Sequence, residues 1–337
     1  MKRPWLAPLV PLYRAGLAWR DLRRARGWEP VRHLQGPVIS IGNLSTGGSG
    51  KTPLAITLAA LLVERGIHVD VLSRGYGRAR TEPARVNLNG SADRYGDEPL
   101  LIARATGVPV YVAPQRYDAG LLAEADVQRD EPAGGPIAAA HILDDGFQHR
   151  QLHRSVDILL LNREDWQDSL LPAGNLREAL PAARHASVIA VPADDAPLEA
   201  ELHRWGWAGP VWRLRRHMQV PQIDGPAFAF CGIARPEQFL AGLENAGVKI
   251  AGQKAFRDHY DYTEHVVERL VEQARGVGAR ALLTTEKDAV RLGQLASAFP
   301  PDLPLTTASL QIEIEDAAVA IDWLVECLRT SPTVPAL

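Results

Sequence analysis

Cysteine is scarce in this chain. Cys231 and Cys327 are the only two among 337 residues, and they form no C-x-x-C pair. Nothing therefore supports a cysteine-ligated metal centre or a thiol redox site, and a reducing cytosolic compartment fits. An excess of positive charge is also missing. Lys and Arg number 37 against 40 Asp and Glu, a formal net charge of −3, which speaks against a general nucleic-acid binder. Residues 1–30 contain no uncharged run of about 20 residues, the length that spans a bilayer. They also lack a small-residue cleavage site after an apolar core, so a secretory signal is not expected. No short internal repeat is present, which removes solenoids and propellers. What remains is ordinary globular material, 46% hydrophobic and 23% charged, long enough for two domains.

The most informative stretch is residues 39–53, ISIGNLSTGGSGKTP. It reads as a buried strand, a glycine-rich turn, then Gly50-Lys51-Thr52 opening a helix, the order of a phosphate-binding P-loop. Backbone N–H groups of Thr46, Gly47, Gly48, Ser49 and Gly50 can turn toward an anion, and the helix N-terminus adds partial positive charge. Lys51 is expected to reach the β- and γ-phosphates of ATP, and Thr52 to ligate Mg2+. The general pattern G-x-x-x-x-G-K-[ST] asks for glycine where this chain has Ser45.

Strands and helices alternate from here on. A helix over 54–65 ends at Gly66; a strand follows at 69–72, then Ser73-Arg-Gly-Tyr-Gly-Arg78 and a turn-rich loop at 79–95. Asp97 starts another helix. Residues 108–112 read as a strand, 115–125 as a helix, 131–136 as a loop, and 141–143 as a strand ending on Asp144-Asp145. Further strands are expected at 156–161 and 188–191. The pattern implies an α/β fold, a mostly parallel sheet flanked by helices, with ligands at the carboxyl ends of its strands. The P-loop, Arg74, Asp97 and the Asp144-Asp145 pair all fall at or near such ends and can converge. Residues 211–216 alternate apolar and basic side chains as an exposed strand does. A second, smaller α/β unit is expected from 227: strands at 227–231, 248–251 and 281–284, helices at 236–246 and 263–275. The last helix covers 316–329.

Several clusters carry chemistry. His141-Ile-Leu-Asp144-Asp145 resembles a Walker-B element, an apolar strand delivering carboxylates to a magnesium ion beside Thr52. Asp97 can cap its helix, or can orient a proton of an attacking hydroxyl. Phe256-Arg-Asp-His259-Tyr260 gathers an imidazole, a carboxylate and a phenol in one loop. Arg177 can bind a phosphoryl group, and Glu178 a metal or its water; both can equally form surface ion pairs. In Thr284-Thr-Glu-Lys-Asp288, Asp288 follows Lys287 directly, so the guanine-reading Asn-Lys-x-Asp pattern is absent.

The amino terminus is distinctive. Residues 1–30 hold seven Lys and Arg against two acids, interleaved with Trp5, Leu6, Leu9, Leu12, Tyr13, Leu17 and Trp19. A helix over 12–26 would either lie in a membrane interface near anionic headgroups or pack on the domain with its arginines in water.

Taken together these segments resemble the tetraacyldisaccharide 4′-kinase family of lipid A biosynthesis. The matching segments are Gly42–Pro53, Ser73–Arg78, Gly96–Pro99, Leu143–His149, Leu171–Glu178, Phe256–His259 and Thr284–Asp288, in family order along nearly the whole chain. The family's own glycines fall at Gly47, Gly48 and Gly50, which accommodates Ser45. The resemblance implies a P-loop kinase at the cytoplasmic face of the inner membrane, peripheral through its N-terminal helix. Its substrates would be ATP and a tetraacylated glucosamine disaccharide 1-phosphate. Lys51 and Thr52 would hold nucleotide and Mg2+; Asp144, Asp145 and Glu178 would complete the metal site. Asp97 would be the hydroxyl-activating carboxylate, paired with His259, and Arg116 and Arg177 would be phosphate-binding or transition-state arginines. The segmentation expected is an interfacial helix at 1–30, a kinase core at 31–210, a linker at 211–226, a smaller α/β domain at 227–315 and a C-terminal helix at 316–337. No obligate protein partner is evident. A partitioning-type ATPase would need a lysine where Thr46 stands, and a GTPase or metallochaperone would need the guanine reader and more cysteines. A non-enzymatic membrane module is the remaining alternative.

Overall fold

Twelve strands form one sheet in a computed structural model that describes residues 3–130 and 140–330. The loop expected at 131–136, and the ends of the segments expected at 1–30 and 316–337, lie outside the described residues. The strands are Val38–Asn43 (β1), Val69–Ser73 (β2), Ala84–Arg85 (β3), Val110–Val112 (β4), Ala140–Asp144 (β5), Val156–Leu160 (β6), Val188–Pro192 (β7), Val211–Gln219 (β8), Ala227–Cys231 (β9), Ile250–Ala255 (β10), Ala281–Thr285 (β11) and Leu305–Ile314 (β12). Their spatial order is β10-β9-β11-β12-β8-β7-β6-β1-β5-β2-β4-β3.

The pairings are parallel except β3 with β4 and β8 with β12. β1, β2, β5 and β6 are buried at every position, as strands covered by helices on both faces must be. The helix Lys51–Glu64 buries Leu54, Ala55, Leu58, Ala59 and Leu62. That spacing puts one apolar stripe against the sheet, where it meets Ile39, Ile41, Ile142 and Ile158 in the main core.

β12 is the strand that joins the two halves. Its first residues, Leu305 to Ala308, run parallel to β11, and Ser309 to Ile314 then run antiparallel to β8. β8 covers most of the segment expected to be a linker, and it also pairs with β7. A smaller core of Phe228, Phe230, Tyr262, Leu270 and Leu282 serves the second unit. The C-terminal helix Ala317–Thr330 returns to the main core through Ala320, Ile321 and Leu324, with Trp323 edge-on to Trp212.

At the amino terminus a 3-10 helix, Pro4–Leu9, runs into the α-helix Val10–Ala25. Pro11 falls in the first turn, where a missing N–H costs nothing. Val10, Tyr13 and Leu17 pack on a core cluster formed by Leu44, Leu170 and Leu176. Among the described residues no helix is long and apolar enough to cross a membrane.

Candidate active site

The parallel strands β1, β5 and β2 lie side by side, so the chain leaves the sheet three times at one edge. β1 delivers Asn43 and the glycine-rich loop, β5 delivers Asp144 and Asp145, and β2 delivers Ser73 and the Arg74–Arg78 loop. Gly47 and Gly50 adopt positive φ, 106° and 92°, which a side chain would oppose. At Gly42 a Cβ would lie 2.4 Å from the Cβ of Phe147, so the loop and the segment after β5 pack with no room between them.

Lys51 points into this edge. Its Nζ donates to Asn43 Oδ1 at 3.0 Å and lies 3.6 Å from Asp145 Oδ1. Arg177 grips Asp145 with both ends of its guanidinium, at 2.9 and 3.1 Å, and also donates to Asn43 Oδ1 at 2.8 Å. Backbone pairing explains how a residue so far along the chain arrives here: Thr46 N–H donates to Asn175 O and Arg177 N–H to Leu44 O. Arg116, buried at the start of the helix Arg116–Asp130, donates to the Asp145 carbonyl at 3.5 Å. Burial opposes ionisation of Asp145, but Lys51 and Arg177 overcome it and hold the carboxyl below its ordinary range. Asp145 itself has φ 50°, a left-handed position that aspartate tolerates better than most residues.

Asp144 is different. It is fully enclosed, and its Oδ1 has no hydrogen-bond partner. Burial, followed by the charges of Glu98 and Asp145, pushes its pKa up to about 7 in spite of Lys51 and Lys287. A buried carboxylate oxygen with no donor is suited to a cation, and Thr52, at the start of the loop's helix, is buried as well. Among the described residues no three His, Cys, Asp or Glu groups converge to cage a metal. Magnesium needs no such cage, because it keeps waters and takes phosphate oxygens.

The second cluster crosses between the two halves. Asp97, 5% exposed, opens the helix Asp97–Thr106. Its Oδ2 accepts from Arg291 Nε at 2.7 Å and from Arg291 Nη2, and lies 3.2 Å from His259 Nδ1. Its Oδ1 accepts the Glu98 N–H. Burial alone would raise the Asp97 pKa; the His259 hydrogen bond, then the Arg291 and Lys287 cations, hold it well below the usual carboxylate range. The bond to Asp97 in turn raises His259. His259 has φ 54°, and its N–H donates to Gly232 O and Asp258 Oδ1.

Sequence reasoning missed several of these groups. Arg291 and Lys287 sit on the short helix Glu286–Leu292, four residues apart and therefore on one face. They reach Asp97 and Glu98 respectively. Asp288, between them, is buried and turns inward to accept from Gly232 N–H, Tyr262 Oη, Thr285 Oγ1 and Arg291 Nη1. The Thr284–Asp288 segment is thus a scaffold that aims two cations at the other half. The spacing of Lys287 and Arg291 is the signal that could have found the second of them. Asn43, shared by Lys51 and Arg177, lay inside a quoted motif without a role.

The expected residues do not all meet. Lys51, Asp145, Arg116 and Arg177 form one cluster, and Asp97 with His259 another; the charges of Glu98 and Lys287 act on Asp144 and couple the two. Glu178 stands apart. It is buried, not on a helix, and its two oxygens accept from Arg20 of the N-terminal helix at 2.7 Å and from Arg150 at 3.0 Å. Tyr13 of the same helix donates to the Arg177 carbonyl. Beside them His149 is driven down to about 4, by burial and then by Arg116, Arg154 and Arg24.

Comparison with known proteins places the chain in one family. The family model described as "LpxK: Tetraacyldisaccharide-1-P 4'-kinase" matches residues 2–329. A tetraacyldisaccharide 4′-kinase of Koribacter versatilis is 39% identical over 333 residues, covering 96% of this chain and 98% of that protein. One from Aquifex aeolicus is 35% identical, covering 89% and 93%. A crystal structure of the "apo" form of LpxK from Aquifex aeolicus in complex with ATP superposes with a TM-score of 0.74 at 32% identity, covering 96% of this chain and 98% of that one. The chain belongs to the tetraacyldisaccharide 4′-kinase family.

Proposed function

We propose that this protein transfers the γ-phosphate of ATP to the 4′-hydroxyl of a tetraacyldisaccharide 1-phosphate, working at the cytoplasmic face of the inner membrane. The observation that carries the reading is the pairing of two clusters. A P-loop lysine and arginines gather at one strand edge, and an ionised Asp97 is held beside them by His259 and Arg291. Phosphoryl transfer asks little covalent chemistry of the protein; it asks for positioning and neutralised charge.

The loop N–H groups of residues 46–52 and Lys51 take the phosphates. Arg116 and Arg177, both gathered at Asp145, add positive charge for the phosphates, and the Nε of each is buried without a protein partner. Mg2+ would be held by Thr52 and Asp144 with Asp145 alongside, and when bound it neutralises charge on the β- and γ-phosphates. Glu178 joins that site only by exchanging Arg20 and Arg150 for the cation. Asp97, kept ionised, accepts the hydrogen bond of the acceptor hydroxyl and aims its oxygen, and His259 holds Asp97 in that state. The dyad joins residues of the two halves and is already formed, with His259 Nδ1 3.2 Å from Asp97, so the carboxylate is preorganised for the acceptor.

The direct test is radiolabelled γ-phosphate transfer from ATP to the purified disaccharide 1-phosphate in detergent. A labelled lipid product is expected, and none with Lys51→Ala. An unlabelled lipid with the unaltered protein rejects the reading.

The N-terminal helix supplies the membrane contact. Val10, Tyr13 and Leu17 face the core, whereas Trp5 and Leu12 are 75% and 74% exposed. Arg14 and Arg23 accompany Leu12 on the helix Val10–Ala25, and Trp5 sits on the 3-10 turn just before it. This is the arrangement of an interfacial anchor. Because Arg20 and Tyr13 hold Glu178 and the backbone of Arg177, truncation would confound anchoring with catalysis, and a point change is cleaner. Leu12→Asp should weaken binding to anionic vesicles at least about tenfold, since burying one leucine contributes about 1.5–3 kcal/mol and 1.4 kcal/mol is tenfold. Unaltered sedimentation with vesicles would remove the anchor.

A further inference from the structure

Two cations lie beside the glycine-rich loop with no part in either cluster: Arg216, which donates to the Ser49 carbonyl, and Arg235. Arg235 precedes the helix Pro236–Asn245, in the loop that leaves β9. A Cβ built on Gly47 would lie 3.7 Å from Arg235 Nε. The guanidinium therefore lies against the loop at Gly47, where the loop has no side chain. Its partner is Glu164, at 2.9 Å from Nη1, and Glu164 is 69% exposed. An ion pair with so exposed a carboxylate is weak and easily exchanged.

The loop that carries Arg235 is also the one that holds the dyad. Gly232 O accepts from the His259 N–H and from Arg291 Nη1, and Gly232 N–H donates to Asp288. Arg235 comes only three positions after Gly232. The same short loop thus supports His259 at 3.2 Å from Asp97 and sets Arg235 against the glycine-rich loop.

We propose that Arg235 is an arginine finger supplied in cis, which leaves Glu164 when nucleotide binds and donates to the oxygens of the transferring phosphoryl group. The inference rests on the kinase reading above. In the step it assists, the acceptor oxygen forms the new bond to the γ-phosphorus and the bond from that phosphorus to the β–γ bridging oxygen breaks. ADP departs with the electron pair, and the hydroxyl proton passes to Asp97. Arg235 exchanges no proton; its fixed charge and planar fork bind the equatorial oxygens where negative charge accumulates. A Cβ on Gly47 would already touch Arg235 Nε, so glycine leaves the guanidinium the closest approach to the loop.

The test uses the full chain with ATP, Mg2+ and the disaccharide 1-phosphate, comparing Arg235→Ala, Arg235→Lys and Glu164→Gln. Removing the finger should lower kcat on the order of a thousandfold, the scale of such arginines, with KM for ATP within about threefold. Lysine should fall between, since it keeps the charge but not the fork. Glu164→Gln breaks the same ion pair and should keep turnover within about twofold, because exposed pairs contribute little. Arg235→Ala within about threefold of the unaltered protein, or Glu164→Gln as impaired as Arg235→Ala, would overturn the proposal. Affinity for ADP with aluminium fluoride, which mimics the planar phosphoryl group, gives a reading that needs no acceptor. The unaltered protein should hold it at least about a hundredfold tighter than Arg235→Ala, with ADP alone unchanged. Equal affinities reject the finger. If the unaltered protein labels no lipid, the kinase reading fails by itself, and this affinity still decides the role of Arg235.

Discussion

Asp97→Asn is expected to lower turnover by about 10²–10⁴-fold, the range for loss of a positioned acid or base, while nucleotide affinity stays within about threefold. Asparagine has nearly the same shape, so Arg291 and His259 keep their places; what disappears is the negative charge that accepts the hydroxyl. The P-loop does not depend on this residue, because Lys51 is held by Asn43 and Asp145. Single-turnover transfer measured beside equilibrium ATP binding separates the two effects. His259→Asn should move in the same direction. With the imidazole gone, one of the interactions holding Asp97 below the ordinary carboxylate range goes with it. Turnover near that of the unaltered protein in both variants would reject the dyad.

Arg291→Met is expected to destabilise the fold by about 3–5 kcal/mol, the cost of leaving a buried charge without its partner. Arg291 is 7% exposed and contacts Asp97, Asp288 and the Gly232 carbonyl. Both carboxylates are more deeply buried still, and methionine fills the space without compensating them. Urea unfolding at neutral pH measures the loss; a change below about 1 kcal/mol would show that the remaining partners suffice. The pH dependence has a definite sign. Asp97 has its folded pKa depressed below the ordinary 3.8, so its contribution is complete above that value and is lost as pH falls through it toward the folded value. Removing Arg291 brings the folded pKa back up, so the acid limb of stability should flatten.

Much of this site was legible along the chain, and the reason is local. A P-loop is a continuous strand, turn and helix, so Gly47, Gly50, Lys51 and Thr52 declare themselves by spacing alone. Asp144 and Asp145 end an apolar strand for the same reason. Asp97 and His259 came through resemblance, since neither a helix-capping aspartate nor a histidine in a loop is informative by itself. Glu178 shows the limit. Its position beside Arg177 suggested a metal-site residue, whereas its contacts run to Arg20, 158 positions earlier, and to Arg150. No pattern within a window of residues encodes an ion pair across such a separation.

The sequence alone determined the α/β alternation, the nucleotide loop, the two carboxylates after β5 and the basic, aromatic amino terminus, because each depends on periodicity, turn chemistry or composition within one segment. Only the tertiary structure decided that β8 and β12 join both halves into one sheet, and that Lys287 and Arg291 reach across to Glu98 and Asp97. It alone laid Arg235 against Gly47 and turned Arg20 of the N-terminal helix inward to Glu178. Strand order and charge pairing between distant elements are fixed by how helices and strands bury their apolar faces together, and that packing is a property of the whole chain.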